Sequence, residues 1–426
     1  MSPTIIALII TACMAVLLAS GKFPFGLVSM ASALALIVTG VLDIPTAMAG
    51  FGNNTVVIIA AMFCMSAALQ KTNVPYVLSN LMHKVDGKND MLLVLATYVV
   101  IMLMGIFLPF MVNVVLIAAV LQTFPKESEV KVSRMLLPLL MIGLLWEKTL
   151  PINMGATVDF TSNIYVENIV TDPGQLLRIG NIFTVKILPV IVTVIYALFI
   201  WKRLPKTELT LDQGQVREVA KSVLPKWQEN LIYVLFAIVF IVLIFNSYFG
   251  SLMFVIPGVC VIILGFTGVM NRNEIVNNVA CDSVWMLVGV QAVTNALTNT
   301  GATGLIGNAL LPLVEWTDNG FFILLIIAVF TTLMTTFLSN TGTMAVLTPL
   351  VASVAVTAGM DPRAMMITVA ICSNFAFCFP SGSPNCALVY GMGQYNPFRV
   401  LKYNVPLLII LVVVTAASAN LFYPLF

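Results

Sequence analysis

The chain has 426 residues, of which 60% are hydrophobic and 9% charged, with a net charge of +2 and a mean hydropathy of +1.03. Soluble domains carry about 25% charged residues, so this composition excludes an ordinary soluble protein and predicts an all-α polytopic membrane protein in the lipid bilayer. One histidine and cysteines without metal-ligand spacing disfavour a metalloenzyme, and we expect neither an organic cofactor nor a nucleic-acid partner.

Apolar runs long enough to cross the bilayer recur along the whole chain. A membrane-spanning helix needs about 20 apolar residues. The predicted spans are 3–20, 25–42, 54–70, 135–165, 179–201, 229–248, 251–269, 281–298, 364–392 and 404–424. Two longer apolar stretches, 91–125 and 320–358, are interrupted near their middles by polar residues, glycine or proline.

The lysine and arginine distribution predicts the orientation, because these residues are enriched in cytoplasmic loops. The polar linker 202–228 is rich in both and is therefore assigned to the cytoplasm. Counting outward from it, 91–125 and 320–358 each begin and end on one side of the membrane. We therefore predict that both are re-entrant hairpins and that both chain termini lie outside.

The two halves carry a weak repeat at an offset of about 229 residues, which aligns Arg134 with Arg363. Each half then contains five spans and one hairpin, and an odd number of spans inverts the second half. The predicted units are a first repeat over 1–201, the cytoplasmic linker 202–228 and an inverted second repeat over 229–426. Inverted repeats are typical of secondary transporters, whose site lies at the repeat interface near the middle of the bilayer.

The tip of the second hairpin breaks an apolar run with small polar residues. Its polar side chains are those of Ser339, Asn340, Thr341 and Thr343. Irregular backbone at membrane depth is tolerated only where it is buried in protein or lines a wet cavity. Hydroxyl, amide and freed carbonyl groups can coordinate a small cation or bind an oxyanion, so the tip is a candidate site.

A second break lies at 377–386, where Pro380 and Pro384 interrupt an apolar run beside Ser383 and Asn385. Each proline removes a donor and frees a carbonyl group. A discontinuous helix presents two half-helix ends, of which one favours anions and the other cations. Together with the hairpin tip, this break predicts a site for sodium and an oxyanion. The alternative is a simple proline kink stabilised by serine and asparagine.

Two short motifs carry a resemblance to a known family. Ser339-Asn340-Thr341 at the tip and Ser383-Pro384-Asn385 in the broken helix resemble motifs of the divalent anion–sodium symporter family, the dicarboxylate, tricarboxylate and sulfate permeases of the ion transporter superfamily. The resemblance implies an elevator-type homodimer in the inner (plasma) membrane. It also implies that sodium is bound by the hairpin tips and that a small anionic substrate is bound by their side chains.

The resemblance assigns candidate residues to both ligands. The sodium candidates are Ser339, Asn340, Thr343 and Ser383. The substrate candidates are Ser339, Asn340, Thr341, Pro384 and Asn385, joined in the first half by Asn113 and Asn153.

The first half departs from the family pattern. Pro109-Phe110-Met111 stands where the tip motif is expected, with Asn113 as the nearby polar residue. The stretch 151–157, which contains Asn153, lacks the usual proline–asparagine pair. We therefore expect the first sodium site to be lost or altered.

Ionisable residues lie beside the first-half break. Glu147 and Lys148 fall within the predicted span 135–165, and ionisable residues inside a span are functional candidates. Three interpretations are open: Lys148 stands in for a missing sodium, Glu147 carries a proton, or the two form an ion pair near the cytoplasmic interface. Asp159 follows the break and is a further candidate to line the site.

The favoured function is secondary active transport of small anions, either di- or tricarboxylates or sulfate, with sodium coupling through at least the second-half site. One alternative is an anion exchanger or proton-coupled carrier in which Glu147 or Lys148 replaces the first sodium. Another is a cation–proton antiporter of the same superfamily, which the scarcity of aspartate in the second-half spans disfavours. An enzyme is disfavoured because no nucleophile–base pair has plausible spacing.

Overall fold

The computed structural model of the chain consists of helices, turns and connecting loops, with no strand among the residues it describes. These residues are 1–20, 22–74, 76–77, 90–106, 110, 113–114, 117–118, 121, 129–151, 155–204, 222, 224–302, 305, 308, 317–337, 340–379 and 383–426. Two candidate site residues, Ser339 and Asn153, and most of the linker 202–228 lie outside this set.

The helices follow the predicted spans to within a few residues at most of their ends. In the first half they are α1 (Pro3–Ser20), α2 (Phe25–Val38), α3 (Ile44–Met48), α4 (Asn54–Gln70), α5 (Asp90–Gly105), α6 (Val132–Trp146), α7 (Ala156–Ile164) and α8 (Asn181–Ile200). In the second half they are α9 (Lys226–Ile244), α10 (Asn246–Phe249), α11 (Leu252–Phe266), α12 (Arg272–Val279), α13 (Asp282–Asn299), α14 (Gly320–Phe337), α15 (Asn340–Thr357), α16 (Pro362–Cys372), α17 (Pro384–Gly393) and α18 (Pro397–Phe422).

Several helix starts share one sequence signal, a capping side chain followed by proline. Asp43, Asp361, Ser383 and Asn396 each accept a hydrogen bond from a backbone N–H in the first turn of α3, α16, α17 and α18, respectively. A proline in that turn loses nothing, because its missing N–H would have had no partner within the helix. These pairs fix where the four helices begin.

Both predicted spans that contain an internal break are divided in two. The span 135–165 becomes α6 and α7, and the span 364–392 becomes α16 and α17. The 15 residues of α6 reach about 22 Å at 1.5 Å per residue, which is shorter than the hydrocarbon core of about 30 Å. A half-helix of this length cannot cross a membrane by itself.

Four helical stretches among the described residues are long and apolar enough to cross a membrane. They are Ile44–Gln70, Asn181–Arg203, Asn340–Thr357 and Pro397–Phe422. Other predicted spans appear as shorter apolar helices, among them α2 and α11, and so do the first arms of the two predicted hairpins, α5 and α14. The chain therefore combines full-length helices with half-length ones.

The helices pack in two groups. The first group contains α1–α4, α9 and α11–α13, and the second contains α5–α8 and α14–α18. The principal contacts between the groups are those of α7 with α4 and α13 and of α1 with α15. Among the described residues, the two groups therefore share a narrow interface around the broken helix α6–α7 and the hairpin α14–α15.

Close approach of α2 and α13 organises the first group. A Cβ atom added to Gly289 would lie 2.3 Å from the carbonyl carbon of Ser29, and one added to Gly26 would lie 2.7 Å from the carbonyl oxygen of Asp282. Small residues at helix crossings allow this backbone contact in membranes. The Asp282 carboxylate also accepts hydrogen bonds from the backbone N–H groups of Phe25 and Gly26, so the first turn of α13 caps α2.

The end of α4 is anchored by polar contacts. Lys71 Nζ donates to the Glu274 carboxylate at 2.6 Å and to the Val269 carbonyl oxygen at 2.9 Å. The hydrogen bond from Lys71 lowers the pKa of Glu274 below its usual value. This contact joins the end of α4 to α12 and so completes the first group on that side.

Candidate functional site

A cavity of ≈ 440 Å³ lies between the two helix groups. The first group contributes an apolar wall made of Phe25, Ile59, Phe63, Met286 and Leu287. The second group contributes the polar wall, made of Glu147, Lys148, Thr157, Thr161, Lys186, Asn340, Thr341, Ser373, Asn374, Ser383 and Asn385. Both broken helices and the tip of the second hairpin therefore meet at one place.

The hairpin tip is attached to the end of α16. The Thr335 hydroxyl lies 3.2 Å from Asn340 Oδ1 and 2.5 Å from the Ser373 carbonyl oxygen, and its single proton serves one acceptor at a time. Asn340 Nδ2 lies 3.5 Å from Asn374 Oδ1, and Asn374 Nδ2 donates to the Ala370 carbonyl oxygen at 2.9 Å. These contacts fix neutral amide and carbonyl oxygens around the cavity.

The second-half break is stabilised from two neighbouring helices. The Tyr390 hydroxyl of α17 lies 3.0 Å from the Phe377 carbonyl oxygen and 2.7 Å from that of Cys378. Asn404 Nδ2 of α18 donates to the Phe377 carbonyl oxygen at 3.0 Å. Ser383 Oγ accepts from the backbone N–H of Cys386 at 3.2 Å and so begins α17. The opened backbone is thus a fixed feature of the fold.

The first-half break has a different construction. Glu147 ends α6, and Lys148 adopts a left-handed conformation with φ of 58° that is uncommon for a residue with a side chain. Gly155 lies against the backbone of Leu150, so that a Cβ atom on Gly155 would lie only 1.8 Å from the Leu150 carbonyl oxygen. Trp146 Nε1 donates to the Met102 carbonyl oxygen of α5 at 2.5 Å. Glycine at 155 is therefore required by the turn.

A buried lysine completes this side of the cavity. Lys186 of α8 is 3% exposed, and its Nζ donates to the Glu147 carbonyl oxygen at 3.0 Å. Glu147 and Lys148 are close enough to interact with it electrostatically. Sequence reasoning missed Lys186, although its position inside the predicted span 179–201 is itself the signal of an ionisable residue in a membrane helix.

The charged side chains of the polar wall all come from the first half. Among the described lining residues these are Glu147, Lys148 and Lys186, which give a net charge of +1 when ionised. The described lining residues of the second half are all neutral. The charge in the cavity is thus distributed asymmetrically between the two halves of the chain.

The structure brings six of the predicted site residues together at the cavity. They are Glu147, Lys148, Asn340, Thr341, Ser383 and Asn385.

The remaining candidates lie elsewhere. Thr343 is fully buried behind the hairpin tip, and Asn113 is buried in a narrow cleft beside Glu147. Asp159 is buried against the start of α8, where its carboxylate accepts from the backbone N–H groups of Gly180 at 2.9 Å and Ile182 at 3.1 Å. Ser339 and Asn153 lie outside the described residues, as does the side chain of Pro384.

The donor set suits an alkali cation better than a transition metal. Across the described part of the chain, no group of three or more His, Cys, Asp or Glu residues could hold a metal ion. The cavity instead offers hydroxyl, amide and carbonyl oxygens, which are the ligands of hard cations.

Comparison with known proteins identifies the family. The sequence model of the citrate transporter family matches residues 15–370. The chain belongs to that family. That family consists of membrane transporters rather than enzymes, and the resemblance of the chain to the divalent anion–sodium symporters is confirmed.

Individual relatives match more distantly. The chain is 23% identical over 285 residues to an uncharacterized transporter of Haemophilus influenzae. The aligned region covers 63% of this chain and 60% of that protein. The chain is 34% identical over 116 residues to the sodium-dependent high-affinity dicarboxylate transporter 3 of Caenorhabditis elegans, which covers 26% of this chain and 19% of that protein. The match thus spans less than two thirds of each relative's length.

A solved structure shares the fold. The crystal structure of the Alcanivorax borkumensis YdaH transporter superposes with a TM-score of 0.65 at 15% identity, covering 99% of this chain and 98% of that one. At this identity the likeness concerns the fold alone.

Proposed function

We propose that the transporter is a secondary carrier of small di- or tricarboxylates or sulfate, coupled to sodium through its second half. The observation that carries the proposal is the cavity itself, whose polar wall combines neutral oxygen donors of Asn340, Thr341, Ser383 and Asn385 with charged side chains of the first half. The net positive charge of that wall favours a substrate with more than one negative charge. The sodium-dependent dicarboxylate transport named for the Caenorhabditis elegans relative supports the same substrate class.

Sodium coupling is proposed for the region where the hairpin tip meets the end of α16. Discontinuous transporter helices coordinate sodium through freed carbonyl groups and through the C-terminal ends of half-helices. The Ser373 carbonyl oxygen and the amide oxygens of Asn340 and Asn374 lie together here. A bound sodium ion would add positive charge beside the anion, so that binding of either ion would strengthen binding of the other.

Two inverted repeats are the architecture that we propose for the chain. With the offset of about 229 residues, α1–α8 coincide approximately with α9, α11, α12, α13, α14, α16, α17 and α18 in that order. Helix contacts are reciprocal under this exchange: α2 packs on α13 and α11 on α4, while α6 packs on α17 and α16 on α7. This reciprocity supports an approximate two-fold relation between the halves.

The proposed mode of action is an elevator mechanism, carried out by a homodimer. The narrow interface between the two helix groups supports a rigid first group and a second group that carries the cavity past it. The cavity residues that bind the ligands belong mostly to the second group, so they would move together with the substrate.

A binding experiment on the purified protein tests the substrate class. A ligand that binds only the folded state raises the melting temperature. We expect succinate, citrate or sulfate to raise it, more in sodium than in choline buffer, whereas acetate and chloride at matched ionic strength have little effect. Equal shifts with acetate, or none with any of the three, would contradict the proposal.

A further inference from the structure

We propose that Lys186 is the resident cation of the first half, where its ammonium group takes the place of a sodium ion and supplies charge to the bound anion. This inference rests on the proposed function and specifies how its two halves differ. It assigns to Lys186 the role for which the sequence suggested Lys148.

The first argument is the place of the ammonium group. Nζ lies 3.0 Å from the carbonyl oxygen of Glu147, the residue that ends α6. The C-terminal end of a helix carries partial negative charge and unpaired carbonyl groups. Such half-helix ends are where transporters coordinate their cations. The lysine therefore occupies the position that a mobile cation would need.

The second argument is that the Lys186 ammonium group is buried and has more hydrogen-bond donors than the described residues have acceptors for it. Lys186 is 3% exposed, and a buried charge is unfavourable unless it is paired or hydrogen-bonded. An ammonium group has three donors, and the described residues supply one acceptor, the Glu147 carbonyl oxygen. Because Lys186 lines the cavity, an anion bound there would be within reach of its ammonium group.

The third argument is the difference between the halves. The offset of about 229 residues aligns Lys186 with Thr415, a fully buried residue of α18 with a neutral hydroxyl group. At the corresponding end of α16, the described lining residues Ser373 and Asn374 are neutral too. The second half thus retains oxygen donors without a fixed cation, whereas the first half has a fixed cation in their place.

Lys148 fits this role less well. It is exposed, and it lies in the turn after α6 with an uncommon left-handed backbone. An exposed ammonium group is solvated and screened, so it contributes less to a bound anion than a buried one does. Lys186 lies within the continuous helix α8, and its hydrogen bond to the Glu147 carbonyl oxygen fixes the position of its ammonium group.

The test is equilibrium binding of radiolabelled succinate, citrate and sulfate to the purified full-length protein as a function of sodium concentration. The variants are K186Q, which removes the charge, K186R, which keeps it, and the control K202Q, which removes an exposed lysine just beyond the same helix. Size-exclusion profiles and melting temperatures establish whether each variant is folded.

We expect K186Q to weaken anion binding at saturating sodium by at least about 10-fold, because removing a desolvated charge partner has a large effect on affinity. K186R should retain more affinity than K186Q, and K202Q should match the wild type. The wild-type protein should bind about one sodium ion per anion, since one of two related cation positions is already filled.

Two results would overturn the inference. One is a folded K186Q that binds the anion as tightly as the wild type, because the lysine would then only join α8 to α6. The other is a sodium dependence of second order in the wild-type protein, which requires no variant to fold.

Failure of the proposed function has a different signature. A wild-type protein that binds none of the three anions overturns both the function and the inference. Sodium-independent binding that K186Q still weakens overturns sodium coupling and supports the role of Lys186.

Discussion

Asn340 is the residue through which the hairpin tip contacts both the cavity and α16. Its amide lies between Thr335 on one side and Asn374 on the other, and its side chain lines the cavity. Removing it takes the Asn340 donor from the Asn374 amide oxygen and an oxygen donor from the proposed sodium region, while Thr335 keeps the Ser373 carbonyl oxygen as acceptor. Buried polar groups that lose their partners are destabilising by about 1–3 kcal/mol each.

N340A should therefore reduce anion uptake into proteoliposomes by at least about 10-fold and raise the sodium concentration for half-maximal uptake. N277A, on the exposed surface of α12, is the matched control and should behave like the wild type. Unchanged uptake and sodium dependence in N340A would remove the tip from the site.

Asp159 illustrates a residue whose role depends on packing that the sequence does not reveal. Its carboxylate accepts hydrogen bonds from the backbone N–H groups of Gly180, just before α8, and of Ile182 in its first turn. D159A should lower the free energy of unfolding by about 2–3 kcal/mol, since two buried donors lose their acceptor. D172A, which removes an exposed cap of a single turn, should have a smaller effect in the same thermal unfolding assay. Equal losses of stability in D159A and D172A would contradict the role of Asp159 as the buried acceptor at the start of α8.

The sequence identified six of the residues that line the cavity but did not single out Lys186, to which we now assign the role suggested for Lys148. Polar residues at Asn340, Ser383 and Asn385 interrupt apolar runs, and such interruptions are visible without a structure. Lys186 lies in an otherwise regular span, and which face of α8 meets the cavity depends on how that helix packs against α6 and α18. That rotation is a tertiary property.

At the scale of helices, proline and capping residues predicted the breaks because they act locally. The second-half break follows from Pro380 and Pro384, and the structure ends α16 before them and begins α17 at Pro384. The first-half break was less well marked, because its cause is a backbone conformation. Lys148 has positive φ, and Gly155 closes a turn against Leu150 that only a glycine fits.

G155A tests this turn directly. An added methyl group meets the Leu150 carbonyl oxygen, so the start of α7 must shift, and overpacking of this kind destabilises proteins by about 1–3 kcal/mol. We expect a lower melting temperature and reduced anion uptake. The control is G258A on α11, where a Cβ atom would meet nothing within 4 Å. If G155A had the melting temperature and uptake rate of the wild type, the claim that only glycine fits against Leu150 would be wrong.

At the scale of the whole molecule, the division into two helix groups separates the polar wall of the cavity from its apolar wall. The polar wall contains the candidate ligand-binding residues. Neighbours in sequence predicted the hairpin α14–α15, but not that α13 packs along α2 or that α18 joins α8, α14 and α16. The contacts of α2 with α13 and of α8 with α18 join segments that are about 200 residues or more apart. Periodicity along one segment carries no information about its distant partner. The cavity exists because these distant pairings place two broken helices at one interface.

The central claim is that this cavity moves a multiply charged anion together with sodium. The most direct test is uptake of labelled succinate, citrate and sulfate by proteoliposomes that contain the purified protein, with an inward sodium gradient or with choline in its place. We predict that at least one of the three anions accumulates above its external concentration only when the sodium gradient is present. Accumulation of none of them, or equal accumulation in choline, would contradict the claim.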